Sequence, residues 1–306
     1  MNLIICYTPL QVLIAEKIIE QHPNEKFFGV MIYVAKNEKF EHYSQRLAQC
    51  CSQFFSLHQH TDRFNLLKEI LLLKWKFSGK KFEKVFVASI NDIQIQFLLS
   101  SIQFNEFYTF DDGTANIVNS SLYYLPEPDT AIRKLINNGL GNKYSVEKLK
   151  KLSQAHYTIY PNFPNIIENT IAVDLFQAKH NRIEQDNVVN ILLGQPVYLD
   201  DKKNIELAEK VIKKFDIDFY LPHPREQYHL TDVEYIKTPL IFEDYIAQHF
   251  SHQKCRVYTY FSSAVLNVKS ENIEVIGLRI ETDNPSFIAC YDLLNQVEIP
   301  VIDIRE

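Results

Sequence analysis

Asp218-Phe219-Tyr220-Leu221-Pro222-His223-Pro224-Arg225 is the stretch from which the architecture can be read. Its first four residues, rich in aromatic and apolar side chains, read as a strand. A histidine follows between two prolines. Proline fixes its own φ and pushes the residue before it towards extended geometry, so His223 should stand on a stiff corner just past a strand end. Open α/β sheets bind their ligands outside the carboxyl ends of strands. A lone histidine at a corner is often no more than a hydrogen-bonding group, but this context and position favour function. An imidazole there would give a proton or hydrogen bond to a phosphate or leaving oxygen near neutral pH.

Around this corner the chain reads as a second α/β series. Strands are expected at 188–193, 218–221, 234–236 (weak), 256–261, 273–278 and 299–304. Helices are expected at 202–215, 242–251, 263–269 and 285–296. The first half has the same alternation. A strand at 2–6 leads to Thr8-Pro9, an N-cap with proline at the first helical position, and a helix at 9–21. Further strands are read at 27–34, 54–58, 85–88 and 107–110, with helices at 40–53, 63–77 and 92–101, the last with Ser89 and Asn91 available as caps. Residues 120–185 are less regular, with helices expected near 130–138 and 146–154. Strands alternating with helices of this length predict parallel sheets covered on both faces. Polar residues crowd 180–187, which places the boundary between domains 1–185 and 186–306. Neither half has G-x-G-x-x-G after its first strand, so the dinucleotide fingerprint is absent. Two Rossmann-like halves without it suggest a two-domain transferase with its ligand in the cleft between them.

Other strand ends in the second half carry polar groups. Gly194-Gln195-Pro196 precedes Asp200-Asp201, and Gly194 would allow close backbone approach to a ligand. One of the two aspartates should cap the following helix, leaving the other for catalysis. Phe242-Glu243-Asp244-Tyr245 opens a helix, where acids suit the dipole or accept bonds from ribose hydroxyls. At Tyr260-Phe261-Ser262-Ser263 a strand gives way to a helix, and free N–H groups with hydroxyls can bind a phosphate there. An ordinary serine cap would look the same. In the first half Asp111-Asp112-Gly113 ends a strand and is read either as a plain turn or as acceptor-orienting groups or a base.

Composition narrows the class. Hydrophobic residues make up 46% and charged residues 23% of 306 residues, values of a globular protein. A net charge of −6 argues against a nucleic-acid surface or a general anionic-membrane surface. The opening Met1-Asn2-Leu3-Ile4-Ile5-Cys6 reads as a buried strand rather than a signal peptide or anchor, and no uncharged run reaches membrane-spanning length. Five cysteines in no metal-ligand spacing fit reduced thiols in a cytoplasmic protein. No zinc or calcium ligand spacing is present, so no metal is expected.

The ordered set Asn2–Thr8, Thr109-Phe110-Asp111-Asp112-Gly113-Thr114, Ile191-Leu192-Leu193-Gly194, Pro222-His223-Pro224-Arg225, Glu243-Asp244-Tyr245 and Phe261-Ser262 resembles the bacterial sialyltransferases of glycosyltransferase family 52, the lipooligosaccharide enzymes of Haemophilus, Pasteurella and Neisseria type. The resemblance spans essentially the whole chain. It implies a GT-B-like fold, with an acceptor-side N-terminal domain and a nucleotide-binding C-terminal domain facing a central cleft. It implies metal-independent, inverting transfer from CMP-sialic acid (CMP-Neu5Ac, a co-substrate rather than a cofactor) to a terminal galactose, α-2,3-linked by default. On that pattern His223 is the general acid, held in Pro222-His223-Pro224, and Glu243 holds the ribose. Ser262 and Ser263 bind the phosphate, and Asp201 or Asp200 is the base, with Asp111 and Asp112 as alternatives or acceptor ligands. The resemblance further implies a homodimer and a cytoplasmic protein peripheral to the inner membrane. The readings set against it are another metal-independent sugar-nucleotide glycosyltransferase and a non-catalytic nucleotide- or glycan-binding relative.

Overall fold

The structure is a computed structural model and describes residues 1–33, 35–60, 62–127, 130–175, 185–223, 226–250, 252–268 and 270–305. The chain divides into two compact units, Met1–Leu175 and Phe176–Glu306.

The first unit runs β1 (Asn2–Cys6), α1 (Pro9–Glu20), β2 (Phe27–Tyr33), α2 (Glu38–Cys50), β3 (Gln53–His58), α3 (Arg63–Phe77), β4 (Lys81–Val87), α4 (Ile93–Ser101), β5 (Gln103–Phe110), α5 (Ala131–Leu140), α6 (Val146–Leu152), β6 (His156–Thr158) and β7 (Thr170–Ala172). Its sheet has the order β3-β2-β1-β4-β5-β6-β7, with every pairing parallel. β1 is buried at all five positions because helices cover both faces of a parallel sheet. Thr8 caps α1 as its sequence suggests: the hydroxyl accepts the Gln11 N–H at 3.3 Å, and Pro9 follows.

Four expectations change in this unit. α2 begins at Glu38 with Asn37 as its cap, and Gln53, expected at the end of that helix, opens β3. α4 is capped by Asp92 rather than by Ser89 or Asn91; its carboxylate also accepts the Tyr7 hydroxyl at 2.7 Å, which pins the β1 end to α4. β4 begins at Lys81 and β5 at Gln103, four residues ahead of the expected starts. Finally, the less regular region adds β6 and β7 to the sheet. Each is only three residues long, and each exists because of the strand beside it.

The second unit runs β8 (Gln185–Leu193), α7 (Asp201–Phe215), β9 (Phe219–Leu221), β10 (Glu234–Tyr235), α8 (Phe242–His249), β11 (Gln253–Thr259), β12 (Ile273–Arg279), α9 (Pro285–Gln296) and β13 (Val301–Asp303). The order β10-β9-β8-β11-β12-β13 is all parallel. This is the doubly wound arrangement 3-2-1-4-5-6, whose direction reverses between β8 and β11. Ile191, Leu192, Val257 and Leu278 are buried in the sheet, with Ala208 and Val211 of α7 buried above it. The expected helix at 263–269 is instead a short 3-10 turn, Ser263–Asn267.

Candidate active site

β9, β8 and β11 are adjacent where the winding of the second sheet reverses, and the segments following their carboxyl ends carry His223, Gln195 with Asp200-Asp201, and Ser262. Gln195, one residue past Gly194, bridges two of these segments. Its Oε1 accepts the Phe261 N–H at 3.1 Å and the Thr259 hydroxyl at 3.4 Å, which joins the loop after β8 to the turn after β11. Ser262 caps the 3-10 turn: its hydroxyl accepts the Ala264 N–H at 3.4 Å, while its own N–H donates to Thr259 Oγ1 at 2.9 Å. The Ser262 O–H remains a donor, and Ser263 beside it is exposed.

His223 lies two residues past β9 and is half-buried. Glu226 holds this corner on the backbone. Its N–H donates to the His223 carbonyl at 2.9 Å, and its Oε2 accepts the His223 N–H at 3.4 Å. The same oxygen accepts the Tyr220 hydroxyl at 2.6 Å. Burial raises the Glu226 carboxyl above its ordinary range, with the Tyr220 and His223 bonds opposing that shift. Burial, reinforced by the Glu226 bond, also pushes the Tyr220 phenol up. Pro222 is half-buried beside His223; Pro224, and Arg225 of the same motif, lie outside the described residues.

The structure separates the two adjacent aspartates. Asp200 is the N-cap of α7, its Oδ1 accepting the Lys202 N–H at 2.9 Å. Asp201 is the exposed first residue of the helix. The loop before them is fastened by Asn204, a buried residue that sequence reading passes over. Its side chain accepts from the Val197 and Tyr198 N–H groups at 3.0 and 2.9 Å and donates to the Tyr198 carbonyl at 2.9 Å. Glu243 is buried in the first turn of α8, and Asn267 donates to its Oε1 at 2.9 Å, tying α8 to the 3-10 turn.

Two sequence readings need correction. Gly194 is not bare for the sake of a ligand. Its N–H donates to the Leu221 carbonyl at 2.9 Å, and an added Cβ would lie 2.7 Å from Glu226 Oε2 and nearer still to the Tyr220 ring. Glycine is required there because Tyr220 fills the space. Asp111 is no candidate base either. It is 0% exposed and accepts from His156 Nε2 and the Thr158 hydroxyl at 2.8 Å each, the Ile159 N–H at 2.6 Å and Asn165 Nδ2 at 3.3 Å. Four donors consume the acceptor sites of this carboxylate, and no face of it meets solvent.

Asp112, the next residue, is half-buried at the carboxyl edge of the first unit's sheet. It accepts from Gln11 Nε2 at 2.5 Å, the Tyr123 hydroxyl at 2.8 Å and the Ser89 hydroxyl at 3.3 Å. Gln11 lies in the first turn of α1, directly after β1, and Ser89 two residues past β4, and between these two strands the sheet reverses its own winding. Among the described residues, no group of three His, Cys, Asp or Glu side chains could hold a metal ion.

Comparison with known proteins gives the family of the chain. The model of glycosyltransferase family 52 matches residues 24–284. The chain is 59% identical, over the whole of both chains, to the CMP-N-acetylneuraminate:beta-galactoside alpha-2,3-sialyltransferase of Pasteurella multocida (strain Pm70). It is 43% identical to the N-acetyllactosaminide alpha-2,3-sialyltransferase of Haemophilus influenzae, covering 95% of this chain and 96% of that one. Among solved structures, the glycotransferase of kitacinnamycin aligns with a TM-score of 0.52 at 10% identity, covering 99% of this chain and 86% of that one. That likeness gives the fold, GT-B, and nothing more specific.

Proposed function

The chain belongs to glycosyltransferase family 52 and is a glycosyltransferase, and from that premise we propose that it moves sialic acid from CMP-sialic acid to a terminal β-galactoside, forming an α-2,3 linkage with inversion. The observation that carries this reading is the set of segments that follow the strands at the β8/β11 reversal. There a histidine corner, an exposed aspartate and a serine-capped turn come from neighbouring strand ends in a chain that matches a sialyltransferase along its full length.

The second unit binds the donor. As the bond from sialic acid to CMP breaks, negative charge grows on the phosphate. The Ser262 O–H and the N–H groups at the start of the 3-10 turn face that charge, and His223 delivers a proton to it. Preorganised donors of this kind each contribute about 3–4 kcal/mol to transition-state stabilisation. Glu243 accepts from the ribose hydroxyls. Asp201 removes the proton from the attacking galactose hydroxyl, because Asp200 already serves α7 as its cap. The first unit takes the acceptor, with Asp112 and its partners Gln11, Ser89 and Tyr123 at the sugar hydroxyls. No metal takes part, since the leaving group has a single phosphate and an imidazole to protonate it. No described helix is long and apolar enough to cross a membrane, and the protein meets a glycolipid acceptor by peripheral association.

The test is CMP release from CMP-sialic acid with and without lactose, in EDTA, for wild type and His223→Ala. Lactose-stimulated release is expected, falling by roughly 10²–10⁴-fold in the variant. Absence of any galactoside-dependent release would overturn the reading. Near wild-type turnover by the variant would overturn the role given to His223.

A further inference from the structure

With proline at 222 and at 224, the corner that carries His223 has few backbone N–H groups by which the rest of the fold can hold it. The one at His223 goes to Glu226. Glu226 Oε2 accepts it at 3.4 Å, and the Glu226 N–H returns a bond to the His223 carbonyl at 2.9 Å. One residue thus holds both backbone polar groups of the proposed proton donor, and these fix the direction in which its imidazole leaves the chain. β9 cannot do this, since it ends at Leu221.

Glu226 is itself anchored. Its Oε2 also accepts the hydroxyl of Tyr220, a fully buried residue of β9, at 2.6 Å. Tyr220 Oη lies 3.4 Å from Tyr228 Oη, which donates to the Gln195 carbonyl at 3.5 Å. A continuous chain, His223–Glu226–Tyr220–Tyr228–Gln195, therefore runs from the acid to the loop of the aspartates, and through Gln195 Oε1 to the serine turn. Glu226 does not meet substrate along it: its other oxygen, Oε1, is shut off from solvent and has no hydrogen-bond partner among the described residues. Keeping a carboxyl in such a place has a cost in stability, seen in the upward shift that burial imposes on it. An apolar side chain would avoid that cost but could not receive the His223 N–H.

We infer that Glu226 is a positioning residue, which holds the backbone of His223 so that the imidazole meets the leaving phosphate, and that Tyr220 holds Glu226 in turn. The inference rests on the role of His223 proposed above, and its test separates the two.

That test is a double-mutant cycle on lactose-stimulated CMP release, with His223→Ala, Glu226→Ala and the pair, each assayed well below its Tm. Enzyme in excess over donor keeps the slow His223→Ala rate measurable. Glu226→Ala should lower the rate roughly 10–100-fold, as a displaced catalytic group does, while its KM for lactose stays within about twofold of wild type. In the His223→Ala background the same change should cost less than about threefold, since no imidazole is left to place. Glu226→Gln retains an acceptor for Tyr220 and His223 and should keep at least about a third of the wild-type rate. Tyr220→Phe, which leaves Glu226 in place without its anchor, should lower the rate roughly 3–10-fold, again only when His223 is present. It carries the cycle if Glu226→Ala does not fold by far-UV circular dichroism. Losses that multiply in the double variants, or a Glu226→Ala enzyme of low Tm with wild-type turnover per folded molecule, would overturn the inference and leave Glu226 purely structural. A His223→Ala enzyme as fast as wild type would instead remove the role given to His223, and the inference with it.

Discussion

Asp111→Ala separates the structural role of this aspartate from a catalytic one. In the folded chain its carboxylate receives three close donors, His156 Nε2, the Thr158 hydroxyl and the Ile159 N–H, and a longer one from Asn165. Alanine leaves the three close donors buried without an acceptor, at about 1–3 kcal/mol each. The Thr158 hydroxyl can rotate, which places the total near the lower end, about 3–5 kcal/mol. For a unit of this size that is a fall of about 6–20 °C in Tm. Asp111→Asn keeps the shape but turns an N–H towards groups that already donate, so its loss should lie between wild type and alanine. The assay is thermal unfolding by circular dichroism, paired with CMP release measured well below each variant's Tm. Turnover per folded molecule should stay within a few-fold of wild type. A Tm within about 2 °C of wild type together with a hundredfold loss of turnover would refute the reasoning and return Asp111 to the chemistry.

Three further outcomes follow from the second unit. Asp200→Asn should keep both helix and activity, since asparagine caps as well as aspartate, whereas Asp201→Asn should lose roughly 10²-fold or more in turnover at unchanged Tm; the reverse pattern would exchange their roles. Gly194→Ala should destabilise by about 1–3 kcal/mol, read from urea unfolding, because its Cβ meets Tyr220 and Glu226, and adding Tyr220→Phe should recover only a part since the ring remains. Glu226 titrates higher in the folded chain than unfolded, so the native state holds the extra proton, and its contribution to stability is full below about pH 4.3 and declines as pH rises through the folded pKa. The stability difference between wild type and Glu226→Gln should therefore move against wild type from pH 4 upwards, and a flat difference across pH 4–8 would remove burial as the cause.

What could be read from the sequence was whatever is decided locally. Thr8-Pro9 announces α1 because cap and proline act on the turn they occupy, and the apolar run of β1 announces a strand covered on both faces. The place of His223 just past a strand end could be read because the aromatic run stops at Leu221 and a proline follows it. β6 and β7 could not, since three residues such as His156–Thr158 carry no period, and only the neighbouring strand makes them extended. Gln11, Asn204 and Glu226 were equally hidden. Each acts through partners on other elements, and their residue types are common at such positions. The misreadings of Gly194 and Asp111 share a cause: a glycine that admits a tyrosine ring and one that admits a ligand look identical in sequence, as do a buried and an open aspartate.

The bond from Gln195 to the Phe261 N–H has a consequence for anyone who would re-engineer this enzyme. The loop carrying the two aspartates and the turn carrying the two serines do not behave as separate cassettes, because one side chain belongs to the first and satisfies the backbone of the second. A chimera whose imported loop has no glutamine at position 195 would leave that amide without its acceptor, and the serine turn would shift although its own sequence was untouched. The two segments, about sixty residues apart in the chain, would have to be exchanged and inherited together.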